Sequence, residues 1–574
     1  MNKTKPKTSN FMKTTLLRAP ILILALIAVL GMTAGNQITI SDDGSGTGTT
    51  TWTSDNVYIL EGFVFVNSGQ TLTIEAGTII KGGEGTGADA SALVVARGGS
   101  IVAEGTATAP IVFTFAADPL DGSVPYDTRG QWGGLIVLGD ASLNSTPGES
   151  QIEGIPETEP RGLYGGDNNL DNSGSLKYVS IRHGGTDIGA GNEINGLTLG
   201  GVGSGTTIEH IEVISNADDG IEFFGGTAEV KWAVVAFVGD DAFDYDEGWR
   251  GRGQFWFAVQ DTPESGNGDR GGEHDGGTNP EDGTPYAHPI ISNVTSMGKG
   301  MGEGTRALTF RDNAGGEYHN SIFFNWGKGI DIENLASGED SYARFQSGEL
   351  TFSGNCFYGT AESGTSATAE DLFKISMGSG WATSNDSIAA LASSSATFAA
   401  TFATLNNEVT DPGLTYQVAI GSGGSNSGLG IVPTNDVSGA TTPAGDFFTN
   451  ATFKGAFDPE DPCDSWVSGW TLLDNYGFIG CYVVGVEEAT FTGTVANIYP
   501  NPTQGDLTLE ASSELSNTTI QIASISGVMV SRTQINSVLR GEQQTISTSE
   551  LTTGAYIITI IADQGIQNIR FIKE

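Results

Sequence analysis

The chain has 574 residues and carries 26 Lys and Arg against 68 Asp and Glu, a formal charge of −42. That acid excess argues against nucleic acid and anionic membrane as partners, since both need basic patches, and it suits an extracellular setting with divalent cations to hand. Glycine, at 83 residues, is about double its usual share without a matching rise in proline, and with no Gly-X-Y period collagen is excluded.

Residues 1–35 read as a signal peptide. Lys3, Lys5, Lys7, Lys13 and Arg18 form a basic lead, an apolar run follows from Ile21 to Leu30, and Thr33, Ala34 and Gly35 offer a cleavage zone. The apolar run is too short for a comfortable crossing, so no stable membrane span is expected. Residues 36–56 form a polar lead-in. From Val57 short β-rich runs begin, VYILEGFVFV, QTLTIEAGTIIKG, ALVVARGGSIVAEG and APIVFTFA, with Gly-rich turns between them. Two hydrophilic insertions interrupt the series, at 144–174 and 264–286.

The strongest signal is an echo. Residues 216–226 read NADDGIEFFGG, and 22 positions on, residues 238–248 read VGDDAFDYDEG. Each copy follows an alternating apolar run, IEHIEVIS and VKWAVVAF. A short fixed period built from strands and turns predicts a parallel β-helix, in which each coil buries its apolar face against its neighbours. Ile211, Val213, Val234 and Phe237 are expected in or near its core.

From about residue 365 the pattern changes. TAEDLFKIS and DSIAALASSSATFAATFATLNN are Ala-rich and predict helix, a C-terminal cap on a solenoid that spans 57–485 with its capping segment. Trp466 and Trp470 are expected to close a hydrophobic end. Only three Cys occur, so no disulfide framework exists. Cys463 and Cys481 could pair and leave Cys356 single, or all three could be buried thiols. The last segment, 497–574, alternates strands and tight turns and predicts a small β-sandwich. The fold class is therefore all-β, a solenoid followed by a sandwich.

The tail resembles the type A C-terminal sorting domain that the Bacteroidetes type IX secretion system reads. The matching residues are Tyr499-Pro500-Asn501-Pro502 with Gly505, the Gly527 turn, Leu551 with Gly554-Ala555-Tyr556, and a basic-hydrophobic end; Ser524 and Glu574 depart from the pattern. The resemblance implies the type IX machinery as a partner and a secreted or outer-surface location. In the body, RGQWGGLIVLGDA, LKYVSIRHGG, DDGIEFFGG and DDAFDYDEGWRGRGQFWFAVQ resemble a group of secreted bacterial proteins with a right-handed, pectate-lyase-like helix. That likeness implies the fold and carries no reaction with it.

Two clusters are candidates for chemistry. The echo stacks Asp218 over Asp240 and Asp219 over Asp241, an acidic ladder suited to Ca²⁺ or to solvated turns whose carboxylates cap backbone amides. The second cluster joins DYDEGWRGRG to GDRGGEHDGG and nominates Asp244, Asp246, Arg250, Glu273 and His274 as catalytic candidates. No nucleophile elbow, P-loop or zinc motif occurs, and no cofactor other than Ca²⁺ is expected. The leading expectation is non-catalytic binding of polysaccharide or of another surface, with Trp249, Trp256 and Tyr245 meeting sugars. A Ca²⁺-dependent lyase or a glycoside hydrolase is the alternative, and it would need Arg250 or Arg252 beside a carboxylate pair.

Overall fold

The computed structural model describes residues 36–574 apart from 157, 189–193, 361–371, 379, 417–428, 461–464, 480–495, 525–528, 550, 552–553, 563–564 and 574. The expected signal segment, Cys463 and Cys481 lie outside the described residues.

Short strands pair in parallel along three columns that wind into a right-handed β-helix. One column runs from Asn36–Ser41 through Asn56–Glu61, Ile79–Gly82 and Ile111–Phe115. A second runs through Thr50–Trp52, Thr71–Ile74 and Ser100–Glu104. From Gly174–Arg182 to Ile290–Met297 a single long strand serves both columns, the first of these pairing through its first half with Ser100–Glu104 and through its second with Ile111–Phe115; beyond it the columns separate again into Gly316–His319 and Ile322–Phe324. The third column is a ten-stranded sheet from Phe63–Val66 to Phe373–Met377. Residues 36–56, read as a polar lead-in, hold the first rungs of two columns. They look polar because an end coil has a neighbour on one side only and stays largely exposed.

The long strands turn a corner through one residue in the left-handed region. Tyr178, His210, Trp232, Phe255 and Asn293 have φ of 49, 57, 60, 58 and 58°. The pairing skips each of them, running Lys177↔Glu209 and then Val179↔Ile211. Bulky residues resist this conformation by about 1–2 kcal/mol each. Stacking contributes in the other direction: Tyr178 lies 4.2 Å from His210, His210 4.6 Å from Trp232, and Trp232 5.9 Å from Phe255, ring centre to ring centre. A second left-handed position, at His183, Ser215 and Phe237, ends the same strands and releases the chain into the loops that carry the Asp pairs.

Ile211 and Val213 point into the coil, as the alternation predicts. Val234 and Phe237 are equally buried but face outward, beneath the segment that follows the coils. The described residues between 411 and 479 do not simply close the end of the solenoid: they run back along its flank. Leu429, Ile431, Val467, Leu473 and Phe478 cover Ile214, Val234, Phe237 and Phe257. Polar ties hold this strap in place: Thr449 N donates to Gln254 Oε1 at 2.8 Å, Asn293 Nδ2 to Phe453 O at 2.9 Å, and Asn320 Nδ2 to Thr441 O at 2.8 Å. Trp466 and Trp470 pack edge-on against the His210 corner, beside the helix and not at its end.

End closure falls to Ser384–Thr404, an α-helix whose Phe398 and Phe402 pack on Phe373. The expected helix at TAEDLFKIS is corrected in its latter part: Phe373–Met377 is the last rung of the ten-stranded sheet, paired with Lys328–Asn334. Its alternation of buried Phe373 and Ile375 is a strand period that the Ala-rich surroundings obscured. The tail forms a three-stranded and a four-stranded antiparallel sheet around their own core.

The strap depends on a buried carboxylate. Glu212 is fully buried and accepts from Leu472 N at 2.8 Å, Leu473 N at 2.9 Å and the Ser180 hydroxyl. Glu212→Ala is expected to leave these donors unpartnered and cost roughly 3 kcal/mol. It should read as a lower melting temperature with early proteolytic cuts within 411–479, and an unchanged protease pattern would contradict the role.

Candidate functional site

The echo lands where its spacing requires. Phe243–Asp246 pairs with Ile221–Phe224 so that Ile221 meets Phe243 and Glu222 meets Asp244. With a side-chain period of two, Ile221, Phe223, Phe243 and Tyr245 point inward, which turns Glu222 and Asp244 outward. The next rung comes from Glu273–Asp275, inside the segment read as a hydrophilic insertion at 264–286. Its register adds Glu273 beside Asp244, then Thr309 and Asp331 on the rungs beyond. One outward column thus reads Thr198, Glu222, Asp244, Glu273, Thr309, Asp331.

The Asp loops deliver two more carboxylates to this column. Asp219 is 8 % and Asp241 1 % exposed. Oxygens of Asp219, Glu222 and Asp244 lie within 4.8 Å of one another, and so do those of Asp241, Asp244 and Glu273. The proposed ladder residues divide: Asp219 and Asp241 join the buried shelf, whereas Asp218 and Asp240 group on its solvent side with Asp219 or with Asp241 and Asp269. Asp219 Oδ1 also accepts from Asp241 N at 2.8 Å, so the inner pair caps backbone as well.

Two like charges 4.8 Å apart repel by about 3–4 kcal/mol at an effective dielectric of 20. Burial, reinforced by the neighbouring carboxylates, pushes Asp219, Glu222, Asp241 and Asp244 well above the usual carboxylate range. Two arginines offset part of this. Arg270 reaches Asp241 at 2.9 Å and Glu273 at 3.1 Å, and Arg311 reaches Glu273 at 2.9 Å and Asp275 at 2.7 Å. Asp244 Oδ1 and the Asn195 Oδ1 are buried without a partner among the described residues, and the Asn195 amide donates to Glu222. Ca²⁺ takes oxygen ligands at about 2.3–2.6 Å, so carboxylate oxygens up to about 5 Å apart can share one ion. The shelf has the donor chemistry for it.

The catalytic candidates are not brought together. His274 is 1 % exposed in the core, stacked 4.2 Å from Tyr245, with Nε2 2.7 Å from the Tyr318 hydroxyl. Burial pulls it down to about 3, so the ring is neutral. It occupies the single inward position of a three-residue rung, which no apolar pattern announces. Asp246 accepts from Thr278 at 3.0 Å and from Glu247 N, and burial raises it to about 6. Arg250 donates to Gly248 O and Ser142 Oγ, and Arg252 pairs with Glu229 and Asp446 on a different sheet. Only Asp244 and Glu273 share the shelf.

The aromatic face expected to meet sugars is also corrected. Trp249, Trp256 and Tyr245 are 0–1 % exposed, with Trp249 stacked 4.0 Å from Phe223 and Trp256 4.4 Å from Phe243. An outward Asp244 and Asp246 force Tyr245 inward, and the corner at Phe255 shifts the parity that places Trp256. Asp269, in the GDRGG stretch of the second cluster, groups with Asp240 and Asp241 as that cluster's proximity implies, whereas Glu222, Arg311 and Asn195 belong to the site without having been nominated for it. Glu222 was readable as the partner of Asp244 in the echo; Arg311 comes from a rung and Asn195 from a loop without repeat similarity.

Comparison with known families gives two matches. Residues 44–404 match the pectate-lyase-like β-helix domain, and residues 497–574 match the secretion system C-terminal sorting domain. No curated protein and no solved structure matches the chain.

The shelf predicts an unusual pH response. Groups whose folded pKa lies above the unfolded value bind more protons in the folded state, so their contribution to stability is lost as pH rises through the folded pKa. In chelator, the melting temperature should therefore rise as pH falls from 8 towards 5, a window that includes Asp246 near 6. Saturating Ca²⁺ should stabilise the protein at pH 8 and flatten that slope. Asp244→Asn should raise the melting temperature in chelator and remove most of the Ca²⁺ response. A Ca²⁺ response equal to wild type would take Asp244 out of the site.

Proposed function

The chain belongs to the pectate-lyase-like β-helix family, and from that premise we propose that it is a non-catalytic, Ca²⁺-dependent polysaccharide-binding protein. Its sorting domain indicates handling by the type IX secretion system and export to the cell surface or the extracellular space. No helix among the described residues is long and apolar enough to cross a membrane.

The observation that carries the binding reading is the buried carboxylate shelf. Five carboxylates, Asp219, Glu222, Asp241, Asp244 and Glu273, crowd together against two arginines, Arg270 and Arg311. Next to it Arg306, Arg311, Asp331 and Glu333 line a cavity of about 220 Å³. A cation on the shelf together with guanidinium groups in the cavity suits acidic sugars, which this chain's overall negative charge would otherwise repel.

The exported protein should be retained on an acidic polysaccharide such as a polyuronate with Ca²⁺ and released by chelator. Asp244→Asn and Arg311→Ala should each weaken retention at least tenfold. Equal retention with and without Ca²⁺, or by both variants, would refute this reading.

A lyase or hydrolase is the second reading. It is favoured by Arg311, whose side chain is 43 % exposed at the cavity edge and 2.9 Å from Glu273, where a lyase would place its base. Unsaturated products or new reducing ends, abolished by Glu273→Ala, would replace the binding reading with this one. Deleting 497–574 should leave the protein in the periplasm; surface display unchanged by that deletion would refute export through the tail.

A further inference from the structure

Away from the carboxylate shelf, the strap and the loop before Gln131 enclose a larger cavity, of about 770 Å³. Two polar side chains from the RHGG segment, Arg182 and His183, line it. Consecutive residues of a strand point to opposite sides. Here the left-handed φ of 60° at His183 breaks the alternation, so both side chains reach one space.

Both are buried, Arg182 to 6 % and His183 to 1 % exposure, and both have unused bonding capacity. The His183 Nδ1 lies 2.7 Å from Thr128 O, which makes it the protonated nitrogen and leaves Nε2 as an acceptor; Nε2 is buried without a partner among the described residues. Arg182 donates from Nε to Ser180 Oγ at 2.7 Å, and its terminal nitrogens meet no acceptor among the described residues. A buried imidazole nitrogen without a partner costs stability unless something supplies its bond.

The surroundings restrict the ligand. Asp118 and Glu212 face Arg182, and Asp121 and Asp474 also border or line the space, so an anion would be repelled. A metal cation would meet Arg182. The inward oxygens of Asp118 are already engaged by Thr114 at 2.7 Å and Leu120 N at 2.8 Å, and those of Glu212 by the strap. What fits is a neutral molecule rich in hydroxyls, because one hydroxyl can donate to His183 Nε2 and accept from Arg182. Leu120, Val124, Leu472 and Ile479 supply an apolar wall for the C–H face of a sugar ring. The volume lies within the range of about 300–1,000 Å³ typical of small-ligand sites.

We propose that this cavity is a second carbohydrate site, taking one or two neutral pyranose units through Arg182 and His183 without Ca²⁺. It extends the carbohydrate reading but stands on different residues from the shelf.

Calorimetric titration of the full chain in chelator tests it, with glucose, galactose, mannose, xylose and their common disaccharides as probes, and with a neutral glucan and mannan to separate free sugar from polymer ends. At least one neutral sugar should bind at one site per chain. His183→Asn keeps a residue that tolerates the left-handed conformation and removes the Nε2 acceptor; it should weaken binding at least tenfold. Val124→Trp, at a half-exposed loop position, fills the cavity without touching either polar residue and should do the same. Asp244→Asn should leave this binding unchanged. Binding undiminished in both cavity variants would overturn the proposal. So would the absence of any neutral-sugar binding, even where Ca²⁺-dependent retention on polyuronate persists.

Discussion

In-register stacking is the constraint on which the rest of this molecule depends. Every coil places each residue about one interstrand spacing, 4.7–4.9 Å, from its counterpart on the next coil. Like therefore sits on like, and the consequence depends on which way a position faces. Inside, Phe223, Phe243, Tyr245 and His274 bury against one another and the core gains from repetition. Outside, the same rule puts Glu222, Asp244 and Glu273 in one column, where repetition is a liability that protons, arginines or a cation must offset.

The corner ladder shows how two such consequences can cancel. A single left-handed residue lets one strand serve two faces, at a conformational cost that recurs on every coil. Tyr178, His210, Trp232 and Phe255 occupy that position and stack on one another, so the cost and the compensation repeat together. The left-handed residue at the strand's end has a different use. It aims His183 beside Arg182 and starts the loops that bring Asp219 and Asp241 onto the shelf.

The strap resolves a problem that the coil pattern creates. Strands apolar on both faces, such as VKWAVVAF, need cover on the outside as well as within. The described residues between 411 and 479 provide that cover and are tied by Glu212, Gln254, Asn293 and Asn320, polar groups set among outward apolar ones. Covering the flank also encloses the cavity at Arg182 and His183. The shelf stays outside the strap, bordered instead by the insertion that carries Glu153.

The amino-acid sequence by itself determined the repeat, and with it the β-helix, the pairing of Glu222 with Asp244 and the identity of the tail, because period and motif are local properties. It could not say that Glu273–Asp275 is a rung: three residues with one inward His carry no apolar period. It could not separate the buried Asp219 and Asp241 from the outer Asp218 and Asp240, which depends on how far each loop folds back over the column. It placed Trp249, Trp256 and Tyr245 on the wrong side, since parity is set by the registers and corners of neighbouring coils. Only the tertiary structure brought Arg270 and Arg311 to the carboxylates and laid the strap along the flank. Those contacts join residues from separate coils, and their partners are chosen by the winding of the whole solenoid.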